Sequence, residues 1–168
     1  SRSYFYDAET NRYIYDVTGN TAGASVAYVS GGHVDRIEYG TRVGSENVAN
    51  APAKVVFDYG PRCITNLTAP NSFCSNGQSS TSENHWLDTP TDLVCTSSVP
   101  GECGSYTPVF FDLTRLRAVS TFAYDGAAYA PVDAWVFGQT FEGEGAGVDL
   151  AYASNVTLVL RSVTHTGK

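Results

Sequence analysis

Methionine is absent from this chain of 168 residues, and lysine occurs only as Lys54 and Lys168. Because the chain starts at Ser1 and has no methionine, we expect it to be excised from a larger or processed precursor. Neither lysine completes a Gly-x-x-x-x-Gly-Lys phosphate loop, and the chain has no Gly-x-Ser-x-Gly or His-Glu-x-x-His pattern. These absences predict a protein that is not an enzyme.

Positive charge is also scarce. The chain has 10 Lys and Arg against 17 Asp and Glu, a formal net charge of −7. Nucleic-acid binding needs a basic face, whereas Arg36, Arg42 and Arg62 are interspersed with acidic residues. No apolar run approaches the roughly 20 residues that a membrane-spanning helix requires. We therefore expect neither a nucleic-acid partner nor insertion into a membrane.

Cysteine is confined to one window, at Cys63, Cys74, Cys95 and Cys103. An even number of cysteines in a setting rich in Asn, Ser, Thr and Gly predicts disulfides and an extracellular, oxidising location. We predict the sequential pairing Cys63 to Cys74 and Cys95 to Cys103, among other connectivities that remain open. A zinc site is the competing interpretation, but there is no Cys-x-x-Cys pair and His85 is the only nearby imidazole.

What the chain does have is the composition of a β protein. Hydrophobic residues make up 42% of it, and 11 Tyr and 8 Phe dominate the aromatics. From Gly31 to Arg62, two apolar runs flank a polar connection, which predicts a central β-hairpin. In the second run, Val55, Phe57 and Tyr59 alternate with Lys54, Val56 and Asp58. In the first run, Val34 is out of phase with Ile37, which indicates either a bulge or two partly covered faces.

The segments before this hairpin predict shorter strands. Tyr4–Tyr6 and Tyr13–Asp16 are aromatic runs, and the polar residues between them have the composition of a hairpin loop. Ser25–Val29 predicts a further short strand. Gly31-Gly32 is then expected to interrupt the chain before the central hairpin.

Regular structure is expected again after position 109. Alternation over Arg115–Tyr124 places Leu116, Phe122 and Tyr124 on one face and Arg117, Val119 and Thr121 on the other. Asp125-Gly126 predicts a two-residue hairpin turn. Tyr129–Phe141 carries apolar residues on both faces, which is typical of a doubly covered strand, and a last strand is expected from Val156. A short helix over Asp112–Ala118 is an alternative for the start of this region.

Between these parts lies a polar excursion, residues 63–108, that contains all the cysteines. Its one stretch with buried-type residues surrounds Trp86 and Leu87, which we expect to pin the excursion onto the sheet. Asp88 and Asp92 suggest a carboxylate pair for glycoside hydrolysis, or calcium ligands together with Asn84. Capping of the turns around Thr89-Pro90 is the interpretation we favour for both aspartates. No cofactor is therefore expected, with calcium as the alternative.

Aromatic residues suggest a second function. Exposed rings on a sheet can stack on sugars while Asn and Asp bind the hydroxyls. The candidate ligand-binding residues are His85, Trp86, Asp88, Asp92 and Tyr106, and the wider platform adds Tyr4, Tyr6, Tyr13 and Tyr15. Ordinary half-burial of tyrosines in strands is the competing interpretation.

A succession of segments resembles a region of large secreted RHS-repeat (YD-repeat) proteins of actinobacteria. The likeness spans residues 4 to 168 and is carried, in order, by GGHVDRIEYGTR, APAKVVFDYGPRC, WLDTPTDLVC, FFDLTRLRAVSTFAYDGAAYAPVDAWVFGQTF and LRSVTHTGK. Such proteins are related to the β-sheet shells of toxin-complex proteins. The resemblance implies a curled sheet that encloses a toxin or effector, or presents it at the cell surface. Tyr6-Asp7 and Tyr15-Asp16 look like degenerate YD repeats, but the chain lacks a tandem array of them and lacks a self-cleaving aspartyl protease motif.

We thus expect a single domain, residues 1–168, that is all-β and mainly antiparallel, either a sandwich or a curled RHS-type sheet. Its expected role is structural, as part of a secreted shell, with other segments of its parent chain or an extracellular protein as partners. A carbohydrate-binding β-sandwich is the alternative. A subunit of an extracellular assembly, with unpaired sheet edges that a partner completes, is the third possibility.

Overall fold

The computed structural model describes residues 1–15, 24–46, 50–69, 71–75, 85–99, 102, 104–143 and 156–167. Over these residues the protein is all-β, as predicted, with a short 3-10 helix at Thr91–Leu93. The described strands are β1 (Arg2–Tyr15), β2 (Ala24–Tyr39), β3 (Ala53–Pro61), β4 (Thr114–Tyr124), β5 (Tyr129–Glu142) and β6 (Thr157–Gly167). No helix in the described ranges is long and apolar enough to cross a membrane.

The strands form one antiparallel sheet in which the spatial order β1-β2-β3-β4-β5-β6 follows the chain. All six are in register along one row, which we call the joined end of the sheet. The row consists of Tyr4, Ile37, Val55, Thr121, Asp133 and Gly167. Of the two predicted arrangements, the described strands therefore match a single sheet and not a sandwich.

Away from the joined end, the sheet separates into three pairs of strands. β2 and β3 are paired only from Arg36 with Val56 to Tyr39 with Ala53. β4 and β5 are paired only between Ala118 with Val136 and Tyr124 with Tyr129. The pairs β1–β2, β3–β4 and β5–β6 continue well beyond these points. We call this region, where neighbouring pairs are no longer hydrogen-bonded to each other, the split end.

A bulge in β2 explains the irregular phase of Val34. β1 pairs Phe5 with Arg36 but Tyr6 with Val34, so Asp35 is an extra residue in β2. The extra residue brings Val34 onto the same face as Ile37, although the two are three positions apart. Of the two interpretations offered for this run, the bulge is confirmed.

A second bulge lies in β4. Because of it, the faces predicted for the first residues of β4 are wrong. Phe57 pairs with Val119 and Tyr59 with Leu116, with a register shift between Asp58 and Tyr59. Because Phe57 and Tyr59 share a face, Leu116 lies with Val119 and not with Phe122. Arg117 is the extra residue, and its guanidinium binds the Asp58 carboxylate with Nη2–Oδ distances of 2.8 and 2.9 Å.

The first two strands are longer than predicted. β1 is continuous through the residues expected to form a hairpin loop, and β2 is continuous through Gly31-Gly32. Both glycines remain in register with β1, opposite Glu9 and Ala8. A Cβ at Gly32 would lie 2.8 Å from the carbonyl oxygen of Asp7, so this glycine permits close approach of the two strands and does not interrupt them.

At the joined end, β4 and β5 are connected by a tight turn, as predicted, but it has four residues. Tyr124 and Tyr129 are the last pair before it. Gly126 has φ +103°, a conformation that favours glycine. The Asp125 carboxylate accepts hydrogen bonds from the amides of Ala127 and Ala128, each 2.8 Å long. The alternative helix over Asp112–Ala118 is wrong, because β4 begins at Thr114.

The cysteine-containing excursion supplies much of the buried core at the split end. Ile64 and Phe141 are almost fully buried and pack with Val156, and Leu67, Phe73, Leu87 and Leu158 surround them. A disulfide joins Cys63 to Cys74, as predicted. Cys95 is also disulfide-bonded, and Cys103, its predicted partner, lies outside the described residues. Leu87 packs against this cluster, which agrees with its expected anchoring role.

The excursion also holds the first pair of strands. The Asn11 side chain donates to Leu93 O and accepts from the Cys95 amide, and Ile14 packs against Cys95. The Ile14 amide donates to the Ser105 carbonyl, which caps this part of the β1 edge. The excursion therefore connects the outer pairs of strands where the sheet is split.

Candidate functional site

The residues predicted to bind a ligand differ in exposure and in their partners. Asp88 is largely buried in an ion pair, Asp92 is exposed in the 3-10 helix, and Tyr106 is 66% exposed. His85 Nδ1 lies 2.6 Å from the carbonyl oxygen of Ile64, to which it donates. Trp86 is half-buried. The structure uses His85 and Asp88 to hold the excursion together, and Asn84, the third predicted calcium ligand, lies outside the described residues.

The wider tyrosine platform is mixed in exposure. Tyr4, Tyr6 and Tyr15 are 51%, 67% and 53% exposed. Tyr13 is half-buried and meets Tyr28 edge to face at a centroid distance of 5.8 Å. Three rings on β1 are thus open to solvent, whereas Tyr13 belongs to the packing of the first pair.

No pattern in the sequence indicated the partner of Asp88. Arg62 Nε donates to Asp88 Oδ1 at 3.0 Å, and Nη2 donates to Oδ2 at 2.6 Å. Asp88 Oδ2 also accepts the amide of Leu158 in β6, at 3.3 Å. The hydrogen bonds that Arg62 donates to Asp88 raise the pKa of Arg62 against the opposing effect of burial. This ion pair joins the end of β3, the excursion and β6.

A cavity of about 430 Å³ lies at the split end of the sheet. All three pairs of strands contribute to its lining. His33 comes from the first pair, Tyr59 and Leu116 from the second, and Gln139 and Leu158 from the third. It exists because the pairs separate here: a continuously hydrogen-bonded sheet would leave no space between them.

One wall of the cavity is aromatic and titratable. The rings of His33 and Tyr59 are in contact, with centroids 3.9 Å apart, and His33 Nε2 lies 4.0 Å from an Asp7 carboxylate oxygen. Burial, followed by the nearby charge of Asp112, raises the pKa of Tyr59. Tyr59 is therefore a protonated hydroxyl at neutral pH, able to donate and accept hydrogen bonds.

The carboxylate of Glu9 holds the segment that leads into β4. Glu9 accepts hydrogen bonds from the Leu113 amide and from the Thr114 hydroxyl, at 3.3 and 3.0 Å. Thr114 and Asp112 both line the cavity. Glu9 thereby connects β1 to the start of β4 across the gap between the first two pairs.

The opposite wall contains Arg115. Its Nη1 donates to Gln139 Oε1 at 2.9 Å, and its guanidinium lies 3.6 Å from the centre of the Phe73 ring. Burial, and then the positive charge of Arg117, lower the pKa of Arg115 to about 10. The side chain remains charged at neutral pH, in surroundings that disfavour the charge.

The chemistry available at this cavity is binding by hydrogen bonds and charge. Across the described ranges, no group of three or more His, Cys, Asp and Glu side chains is arranged to hold a metal ion. The only signal for the cavity in the sequence was the phase of Tyr59, which placed it on the apolar face. The remaining lining residues come together through the two bulges and the split of the sheet, which periodicity does not encode.

Comparison of the chain with models of protein families, with curated proteins and with solved structures gives no match in any of the three.

Proposed function

We propose that this chain is a non-catalytic structural segment of a large secreted protein of the RHS-repeat type, and that its sheet forms part of the wall of a shell. The shell would enclose or present a toxin or effector. The observation that carries the proposal is a single sheet with one apolar face that no second sheet of the described residues covers.

The apolar face contains Ile37, Val55, Phe57, Val119 and Trp135, whose register places them side by side, and Thr121 and Asp133 lie at its border. All five apolar residues are only half-buried. Adjacent apolar side chains that stay half-exposed on one face of a sheet favour contact with another layer. A wall segment would direct this face toward the rest of the shell or its contents.

The opposite face has a different character. Arg36 forms ion pairs with Asp35 and Glu38 and lies 3.6 Å from the centre of the Phe5 ring. Lys54 lies 3.8 Å from the centre of the Tyr129 ring. Charged side chains that cover aromatic rings suit a surface in contact with water. One apolar and one solvated face is the pattern expected of a wall.

The edges of the sheet support the same proposal. β1 and β6 are each paired with one strand among those described. From Leu160 to Gly167, every residue of β6 is exposed, including Val163 at 52%. Long, exposed edges favour strand addition, and a longer chain would continue the sheet there. In this setting the partners are other segments of the parent chain.

Cysteine accessibility tests the proposal. Val119→Cys places a thiol on the apolar face, and Ser120→Cys places one on the opposite face as a matched control. In the isolated chain we expect a maleimide reagent to label both. In the longer parent protein, we expect labelling at position 119 to fall strongly while position 120 remains reactive.

Hydrogen–deuterium exchange on the same two proteins examines the edges. We expect amides of β6 that exchange rapidly in the isolated chain to become protected in the parent. Equal labelling of Val119→Cys and equal exchange of β6 in both proteins would contradict the wall-segment role.

A further inference from the structure

Asp125 is the one aspartate in the chain that is followed by a glycine. In an Asp-Gly pair, the backbone nitrogen of the glycine can attack the side-chain carboxyl carbon of the aspartate, because glycine has no Cβ that obstructs the approach. The carboxyl group must be protonated for this attack, since only then does it release water. Asp125-Gly126 is therefore the aspartyl bond of this chain that is most prone to rearrangement.

The carboxylate of Asp125 is bound within its own turn. Its Oδ1 accepts hydrogen bonds from the amides of Ala127 and Ala128, each 2.8 Å long. Amide donors that point at a carboxylate favour its charged form, which lowers the pKa of Asp125. The turn thus holds the carboxyl group in its unreactive form, although residues 125–128 are all exposed to water.

Contacts outside the turn help to hold it closed. The Tyr124 amide donates to the carbonyl of Pro52 at 2.9 Å, and the Tyr129 hydroxyl donates to the carbonyl of Ala51 at 3.0 Å. The rings of Tyr124 and Tyr129 are in contact, with centroids 5.1 Å apart. Opening of the turn is therefore coupled to loosening of the end of the β4–β5 pair.

We propose that Asp125-Gly126 is a site of spontaneous aspartate isomerisation, and that the closed turn restricts the reaction to molecules in which the turn has opened. The hydrogen bonds to Oδ1 hold the carboxyl group away from the reaction, and the two tyrosines set how often the turn opens. The inference is independent of the wall-segment role, because it concerns the chemistry of one turn.

The reaction conserves all atoms and oxidation states. The Gly126 nitrogen loses its proton and forms a bond with Asp125 Cγ, while the carboxyl hydroxyl leaves with a proton as water. Water then adds to the main-chain carbonyl carbon of Asp125 in the cyclic imide and breaks the bond of that carbon to the Gly126 nitrogen. The main chain of the product passes through Cβ and Cγ, and the former carbonyl carbon carries the carboxylate.

The product does not fit the turn. Its main chain is one carbon atom longer between Tyr124 and Tyr129, the last pair of residues before the turn. Its carboxylate is attached at Cα and has left the position from which Oδ1 bound the amides of Ala127 and Ala128. Isomerised molecules should therefore lose the pairing of Tyr124 with Tyr129.

Incubation of the oxidised 168-residue chain at mildly acidic pH tests the inference, with the same chain unfolded in urea as the reference. Peptide mapping that separates aspartyl from isoaspartyl peptides measures the conversion at Asp125. We expect it to be at least about tenfold faster in the unfolded chain, because two charge-assisted hydrogen bonds must first break in the folded one. Equal rates in the two samples, or no conversion at Asp125 in the unfolded chain, would overturn the inference.

Two variants test the role of the turn in the folded protein, with circular dichroism to verify the sheet. Tyr129→Ala removes the hydrogen bond to Ala51 and the ring contact with Tyr124, so conversion should be about threefold faster or more. Tyr106→Ala is the matched control, since this ring is 66% exposed and follows Ser105, which binds Ile14 near the split end. It should convert at the wild-type rate.

If Tyr129→Ala does not fold, Tyr129→Phe takes its place, because it removes only the hydrogen bond to Ala51. We expect a smaller acceleration in the same direction. A wild-type rate in the position 129 variant, or equal acceleration in the Tyr106→Ala control, would show that opening of this turn does not control the reaction.

Discussion

At the scale of single residues, we expect the two arginines that line the cavity to contribute differently to the stability of the fold. Arg62 neutralises a carboxylate that is 10% exposed, whereas Arg115 has no carboxylate partner in the described ranges. We expect Arg62→Met to lower the free energy of unfolding by about 1–3 kcal/mol, because it leaves Asp88 partly buried without its cation. Urea unfolding at neutral pH measures the difference.

Arg115→Met is the control for this prediction. It leaves no carboxylate unpaired and removes a charge that burial disfavours, so we expect stability within about 1 kcal/mol of the wild type. A loss as large as that of Arg62→Met would show that Arg115 stabilises the fold despite its lack of a carboxylate partner among the described residues.

The turn after β4 contains a carboxyl group, that of Asp125, whose contribution to stability should depend on pH. Hydrogen bonds from the amides of Ala128 and Ala127 lower the pKa of Asp125. A carboxyl group whose pKa is lower in the folded state contributes stability above its unfolded pKa of about 3.9, and this contribution is lost as the pH falls through the folded pKa. NMR titration of the Asp125 carboxyl carbon should give a midpoint below that value. A midpoint at or above it would contradict the hydrogen bonds of the turn.

At the scale of elements, the continuity of β2 depends on one of its two consecutive glycines. A Cβ at Gly32 would lie 2.8 Å from Asp7 O, which belongs to the backbone of β1 and has no freedom to move alone. We expect Gly32→Ala to lower the free energy of unfolding by about 1–3 kcal/mol. Chemical denaturation monitored by circular dichroism provides the measurement.

Gly31→Ala is the matched control, since its Cβ would approach Asp112 Oδ1 no closer than 3.5 Å, an ordinary contact. We expect a change within about 0.5 kcal/mol. Similar losses at both positions would mean that the pairing of β1 with β2 differs from the register described here.

The strands also show what periodicity can and cannot predict. Alternation identified β3 and the all-β class, because a half-buried sheet requires a period of two. It was wrong for Leu116, because the extra residue Arg117 shifts the phase by one. The prediction also ended a strand at Gly31-Gly32, because a close approach of two backbones selects glycine too and is not visible in a single strand. It divided β1 at a polar run that in the structure stays paired with β2.

At the scale of the whole molecule, the excursion is part of the core. Cys63 and Ile64 are fully buried, and the disulfide from Cys63 to Cys74 closes a short loop against Phe141. We expect the double variant Cys63→Ala, Cys74→Ala to lose about 2–3 kcal/mol of unfolding free energy, by loss of the cross-link and of buried volume. Thermal unfolding of the variant beside the oxidised wild type measures it, and an unchanged midpoint would contradict a core role for this loop.

The candidate site was the least predictable part of the protein. Sequence reasoning directed attention to His85, Trp86, Asp88, Asp92 and Tyr106, because clustered polar and aromatic residues in a loop are typical of binding sites. The cavity instead combines side chains from all three pairs of strands. Arg115 was predicted only as a strand residue, since the loss of pairing between β4 and β5 beside it depends on contacts distant in sequence.

The order of the strands has a mechanical consequence. Because spatial order follows chain order, Arg2 and Gly167 lie on opposite edges of the sheet, both at the joined end. Tension between them acts across the strands, over about 24 Å if neighbours are about 4.8 Å apart. Under such a load the ladder hydrogen bonds break one after another, as in the opening of a zipper, and not all at once as in shear. The sheet would therefore yield at low force and unravel strand by strand.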